Sequence, residues 1–161
     1  MNTSTTSSIF RRQPPHAASS GLSIPDINIW MALAATEHPH SGAAAHWWQQ
    51  QLGLIAFVRH SQLGFLRLTT TAAAMAGKPL TIFQAWSAYD RFFDDERVTF
   101  LPEPNEVERQ FRANAPLHTS SPKVWADAWM LALAETAGGT LVTFDKALGQ
   151  RGANCLLDHR P

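Results

Sequence analysis

The chain has 161 residues, a formal net charge of zero, 45% apolar residues, six Trp and nine Phe. That length suits one domain, and so much apolar and aromatic material excludes a disordered or fibrous chain. The balanced charge excludes a protein that coats nucleic acid through a global basic field, though not an enzyme that meets one polyanion in one cleft.

Residues 1–21 read as a flexible N-terminal tail of Ser, Thr, Pro, Ala and Gly, with Arg11 and Arg12 as its only charged side chains. It lacks the apolar core of a secretion signal. The domain is expected over residues 22–161. A strand over 22–25 ends at Asp26, and a helix over 28–35 leads into the polar loop Glu37-His38-Pro39-His40. Ser41 is expected to cap a helix to about Gln51. The apolar run 54–58 has strand length, and Ser61 is expected to cap the next helix, to about Met75. Lys78-Pro79 breaks the chain, and Thr81 caps a helix with Phe83, Ala85, Trp86, Tyr89 and Phe93 on its apolar sides.

A third strand over 98–101 stops at Pro102, and an amphipathic helix follows over about 105–113. Ser121-Pro122 opens a further helix and Gly138-Gly139 closes it. Residues 140–144, apolar and β-branched, form a strand, and 154–157 a last one. Strand alternating with helix implies an α/β fold with a mostly parallel sheet, whose right-handed crossovers put every strand's carboxyl end on one edge. Ligands bind at that edge in open α/β sheets. The lone Cys155, in an apolar run, excludes an intramolecular disulfide and reads as a buried thiol. No apolar run approaches the ~20 residues that cross a bilayer, so no membrane role and a reducing cytoplasm are expected.

Asp26 and Asp145 both follow strands, on the ligand-binding edge. Asp127 lies inside the otherwise apolar helix Val124-Trp125-Ala126-Asp127-Ala128-Trp129-Met130. Buried charge is costly unless paired or bound to metal. Taken singly, Asp26 and Asp145 are explained as caps or turn residues and Asp127 as a helix-dipole partner. Taken together on one edge, three carboxylates would repel one another without a cation, and suit Mg²⁺ or Mn²⁺.

Ile24-Pro25-Asp26-Ile27-Asn28-Ile29-Trp30 resembles the opening Asp-x-Asn motif of PIN-domain nucleases. The run Trp125 to Ala134 is similar to that family's third acidic motif, and Leu141-Val142-Thr143-Phe144-Asp145 to its Thr-x-Asp motif. Ser61-Gln62-Leu63-Gly64-Phe65-Leu66-Arg67 resembles a segment of one VapC-like branch. The likeness spans nearly everything from Leu22 to Leu157. It implies a three-layer α/β/α sandwich with a mostly parallel central sheet. It also implies a metal-dependent endoribonuclease that acts as the toxin of a toxin–antitoxin pair, with an RNA substrate, a VapB-like antitoxin partner and a homodimer. Asp26, Asp127 and Asp145 are then the catalytic metal ligands. Asn28 and Thr143 would orient those carboxylates.

Many PIN domains carry a glutamate where this chain has Gln62, which offers a carbonyl oxygen and no charge. The site then has three carboxylates, not four, and holds its metal more weakly unless another acid such as Glu37 or Asp90 compensates. Arg59 and His60, after the second strand, are the expected phosphate contacts, and Arg67 is expected to be solvated or structural. Two other readings stand beside the nuclease. One is a PIN-like module that binds RNA or antitoxin with weakened catalysis. The other is an α/β phosphatase with an aspartate nucleophile, disfavoured because Asp26-Ile27-Asn28 stands where Asp-x-Asp is wanted.

His38, His40 and His46 lack a fourth ligand and are expected to be exposed or to cap. Trp47-Trp48 with Leu52 is expected in the core, with part of that surface and Phe92-Phe93 offering an interface. Asp94-Asp95-Glu96 reads as a solvated charge run.

Overall fold

The computed structural model describes residues 21–116, 118 and 120–157. The expected tail, apart from Gly21, lies outside them. Five strands, β1 (Ser23–Pro25), β2 (Ile55–Phe57), β3 (Val98–Phe100), β4 (Thr140–Thr143) and β5 (Asn154–Cys155), form one parallel sheet in the order β3-β2-β1-β4-β5. Seven helices connect them: α1 (Ile27–Ala34), α2 (Ser41–Gln50), α3 (Arg59–Thr69), α4 (Ile82–Asp90), α5 (Val107–Asn114), α6 (Val124–Thr136) and α7 (Lys146–Gly149). A 3₁₀ turn, Arg91–Asp94, extends α4.

Strand alternation divides the interior into two cores. Ile24, Ala56, Val58 and Leu141 pack against α5 and α6 through Val107, Met130, Leu131 and Leu133. Ile55, Phe57, Val98 and Val142 face Ile29, Trp30, Trp47, Phe65 and Tyr89 on the helices of the other side. Trp30 stacks on Phe57 at 3.6 Å between ring centroids. This is the expected sandwich. Cys155 is buried and free, and among the described residues no helix is long and apolar enough to cross a membrane.

Several local expectations are corrected. α3 starts at Arg59, so Ser61 lies inside its first turn, where its Oγ accepts the Val58 N–H at 3.1 Å. The helix stops at Thr69, not Met75: the hydroxyls of Thr69, Thr70 and Thr71 bond back to carbonyls in the preceding turn, and β-branched residues propagate helix poorly. Ser41 is the first residue of α2, not its cap, and its Oγ donates to the Thr36 carbonyl. Leu52 is exposed while Trp47 is buried. Asp95 is not simply solvated: it pairs with Arg97 at 2.6 Å, and that guanidinium also donates to the carbonyls of Trp48 and Gln51. α4 shows only part of its apolar surface to the core, burying Ala85 and Tyr89 and leaving Ile82, Phe83 and Trp86 exposed.

Candidate active site

β1 is central, and the chain leaves it first toward β2 and β3, then on its other side toward β4 and β5. The strand order therefore reverses between β1 and β4, the crevice where open α/β sheets bind ligands. Asp26 follows β1 and Asp145 follows β4, one on each side of that crevice.

Both also cap helices. Asp26 Oδ1 accepts the Ile29 N–H at 3.0 Å, starting α1. Asp145 Oδ1 accepts the Ala147 N–H at 2.7 Å, starting α7. Capping and active-site roles are compatible because each carboxylate oxygen has two lone pairs and a single cap bond leaves acceptor capacity. Thr143, fully buried, ties the two aspartates: its hydroxyl donates to Asp26 Oδ2 and accepts the Asp145 N–H at 3.0 Å. Asp145 Oδ2 has no hydrogen-bond partner among the described residues. Asp127, in the first turn of α6, is the third carboxylate at a helix N-terminus, where the dipole favours negative charge.

Their electrostatics are those of a crowded acidic site. Burial pushes the Asp26 carboxyl above the usual range despite the opposing hydrogen bonds of Thr143 and of the Ile29 and Asn28 N–H groups, and the Asp145 charge adds to the rise. Asp127 is raised by burial and then by Asp145, with Arg151 and His60 offsetting part of it. Asp145 is thus the charge that both other aspartates feel. Among the described residues, no three His, Cys, Asp or Glu side chains are placed close enough together to hold a cation. The donor chemistry nonetheless fits a hard divalent ion: all-oxygen ligands, with raised carboxylates that an added positive charge would relieve.

The remaining expected residues divide. Arg59 and His60 line a cleft of about 350 Å³ with Leu63, Leu101, Glu103 and Trp129. Burial, and then the Arg67 charge, hold His60 below the usual imidazole range while the Asp127 charge offsets part of that, so this cleft borders the acidic site. Arg67, expected to be solvated or structural, is exposed, and its charge reaches His60. Asn28 is exposed and stands with Asp145 in a second cleft.

Gln62 does not orient the carboxylates: it is buried, its Oε1 accepts from Arg59, and it faces the Tyr89 hydroxyl. Glu37 and Asp90 are exposed, and neither perturbs Asp26 or Asp127. Sequence reasoning missed Arg151, held by the Asn114 carbonyl at 2.7 Å with its charge acting on Asp127. It also missed His38, His40 and Phe144, which line the second cleft. His40 makes no side-chain cap to α2, and burial followed by the His40 charge holds His38 below the usual imidazole range. The Glu37-His38-Pro39-His40 loop was the available signal.

No family model matches the chain. It is 42% identical to Ribonuclease VapC41 of Mycobacterium tuberculosis over 133 residues, 79% of this chain and 91% of that protein, in two strains. The chain belongs to the VapC ribonuclease family. Two solved structures share the fold. VapC20 of Mycobacterium tuberculosis, described as a toxin that cleaves the sarcin–ricin loop, has a TM-score of 0.60 at 16% identity, covering 81% of this chain and 95% of its own. VapBC2 of Rickettsia felis, solved with a promoter DNA fragment, has a TM-score of 0.53 at 15% identity, covering 83% and 94%. For this VapC-family chain, the likeness confirms the PIN-like sandwich, and the sequence relationship makes it a ribonuclease.

Proposed function

We propose that the chain is a divalent-cation-dependent endoribonuclease, the toxin of a toxin–antitoxin pair, with Asp26, Asp127 and Asp145 as its catalytic carboxylates. The observation that carries this is the Thr143-bridged pair Asp26–Asp145 across the reversal in strand order, electrostatically coupled to Asp127. Mg²⁺ or Mn²⁺ held at this cluster, by these carboxylates directly or through water because the three stand too far apart to ligate together, would supply Lewis-acid relief of the charge that develops on a phosphodiester and a more acidic bound water.

The protein's own contributions can be stated residue by residue. Thr143 fixes the orientation of Asp26 and the start of α7, so neither carboxylate has to be ordered when substrate arrives. Arg59 and His60 meet the phosphates of an RNA strand in the neighbouring cleft, with Trp129 as an apolar wall. An aspartate of the set accepts a proton from the attacking water, and attack by water leaves a 5′-phosphate and a 3′-hydroxyl. Ile82, Phe83 and Trp86, exposed on α4, are the kind of surface that a VapB-like antitoxin or a second copy covers.

A second reading, a module that binds RNA or antitoxin with weakened catalysis, draws on Gln62, which supplies no fourth carboxylate and bonds to Arg59 instead. One experiment separates them: cleavage of a mixed structured-RNA pool by the purified chain with Mg²⁺, Mn²⁺ or EDTA, beside Asp145→Asn. Cation-dependent cleavage that drops at least about a hundredfold in the variant supports the enzyme. Binding of RNA without cleavage under any cation supports the module.

A further inference from the structure

The second cleft, about 350 Å³, is lined by Asn28, His38, Pro39, His40, Phe144 and Asp145. It shares Asp145 with the acidic site and therefore opens directly beside it. Its volume is at the lower end of small-ligand pockets, roughly 300–1,000 Å³, which suits one nucleotide rather than a length of strand.

Three rings furnish its surface. His40 lies 4.7 Å from Phe144 between centroids, His38 lies 6.2 Å away at an interplanar angle of 21°, and all three rings are only partly buried. Nothing structural uses their polar edges fully. His40 starts α2 without a side-chain cap, and neither imidazole forms an ion pair among the described residues. His38 Nδ1 accepts the His40 N–H at 3.2 Å, which leaves Nε2 as the hydrogen-bearing nitrogen of the neutral ring. Asn28, exposed on the first turn of α1, adds an amide that both donates and accepts. Stacking faces beside a few hydrogen-bonding groups are what an unstacked RNA base requires. A metal site is the alternative use of two histidines and an aspartate, and these three are not placed as one.

We propose that His38, His40 and Phe144 form a nucleobase subsite for the nucleotide adjoining the cleaved bond, with Asn28 and His38 Nε2 meeting the base edge. This rests on the ribonuclease reading. It makes the imidazoles positioning groups for substrate, outside the chemical step.

The test is equilibrium binding in EDTA, where cleavage plays no part. Single-stranded RNA decamers carrying a central 2-aminopurine and a 5′-fluorescein are titrated with wild type, His40→Ala, His40→Phe and His38→Ala, and each variant's melting temperature is recorded. The expected result is binding about five- to tenfold weaker for His40→Ala and for His38→Ala. His40→Phe should stay within about twofold of wild type, because a phenyl ring also stacks. Quenching of 2-aminopurine should follow the same order. Wild-type affinity and quenching in both alanine variants overturn the subsite and leave the ribonuclease reading standing. Failure of the folded wild type to bind any decamer also overturns the subsite, and the ribonuclease reading then stands or falls on the cation-dependent cleavage of structured RNA. His38→Ala, in a loop, keeps the outcome readable if His40→Ala perturbs the start of α2.

Discussion

Thr143 is the residue on which the geometry of the site turns. Its hydroxyl gives its one hydrogen to Asp26 and accepts the Asp145 N–H while fully buried. Thr143→Val keeps the shape of the side chain and removes both bonds, leaving a carboxylate oxygen and an N–H without their partner. Stability should fall by about 1–3 kcal/mol in urea unfolding, and cleavage by at least about tenfold. Asp127→Asn should act in the opposite sense on stability. A carboxyl raised by burial and by Asp145 opposes folding when ionised. Between the ordinary aspartate pKa of 3.8 and the raised folded value, the native state binds more protons than the unfolded one, so stability falls as pH rises through that window. In EDTA at pH 7, Asp127→Asn should therefore melt roughly 2 °C above wild type. That advantage should shrink as pH is lowered through the window and vanish below it. An equal difference at all pH values would trace the gain to something other than ionisation.

Among the elements, α1 packs on α3 where Gly64 faces Ile27. A Cβ built at Gly64 would lie 2.2 Å from Ile27 Cδ1 and 2.6 Å from Cγ1. Ile27 directly follows Asp26, so relief of that overlap displaces the start of α1. Gly64→Ala should cost about 1–3 kcal/mol by chemical denaturation and should lower RNA cleavage more than a distant core change of equal cost. The Ser61 to Arg67 resemblance flagged this segment, yet the need for Gly at 64 emerges only when α1 is packed on it. Strand positions and their order of polarity were legible because buried parallel strands are short apolar runs. Asp26, Asp127 and Asp145 were legible for a related reason, since charge at strand ends or within apolar helix is conspicuous. Helix ends were less so: Ser41 and Ser61 have the composition of caps but lie within the first turn, and His40 and Val58 precede the helices instead. α7, four residues long, escaped notice because Asp145 starts it through two backbone N–H bonds and no apolar period marks it. Arg151 and Phe144 joined the site through tertiary placement that spacing alone does not encode.

Across the whole molecule the charges balance to zero, yet Asp26, Asp127 and Asp145 share one crevice with Arg151, Arg59 and His60 beside it, so the charges that would serve a polyanion are local ones. A divalent ion that binds this crevice only in the folded state stabilises the fold by mass action. Millimolar Mn²⁺ should raise the melting temperature of wild type by at least about 2 °C and leave the double variant Asp26→Asn, Asp145→Asn within about 1 °C of its metal-free value. Equal shifts in both proteins would place the ion elsewhere. The sheet order has a further result during synthesis. Asp26 and the hydroxyl that holds it are 117 residues apart, and β1 gains its β4 neighbour only after β2 and β3 have been made. A growing polypeptide carries Asp26 through 117 further residues before the hydroxyl that holds it is made, with the aspartate beyond it later still. Products of interrupted translation that stop short of β4 therefore contain no assembled centre, and a cell making this nuclease meets its activity only in chains that extend past Asp145.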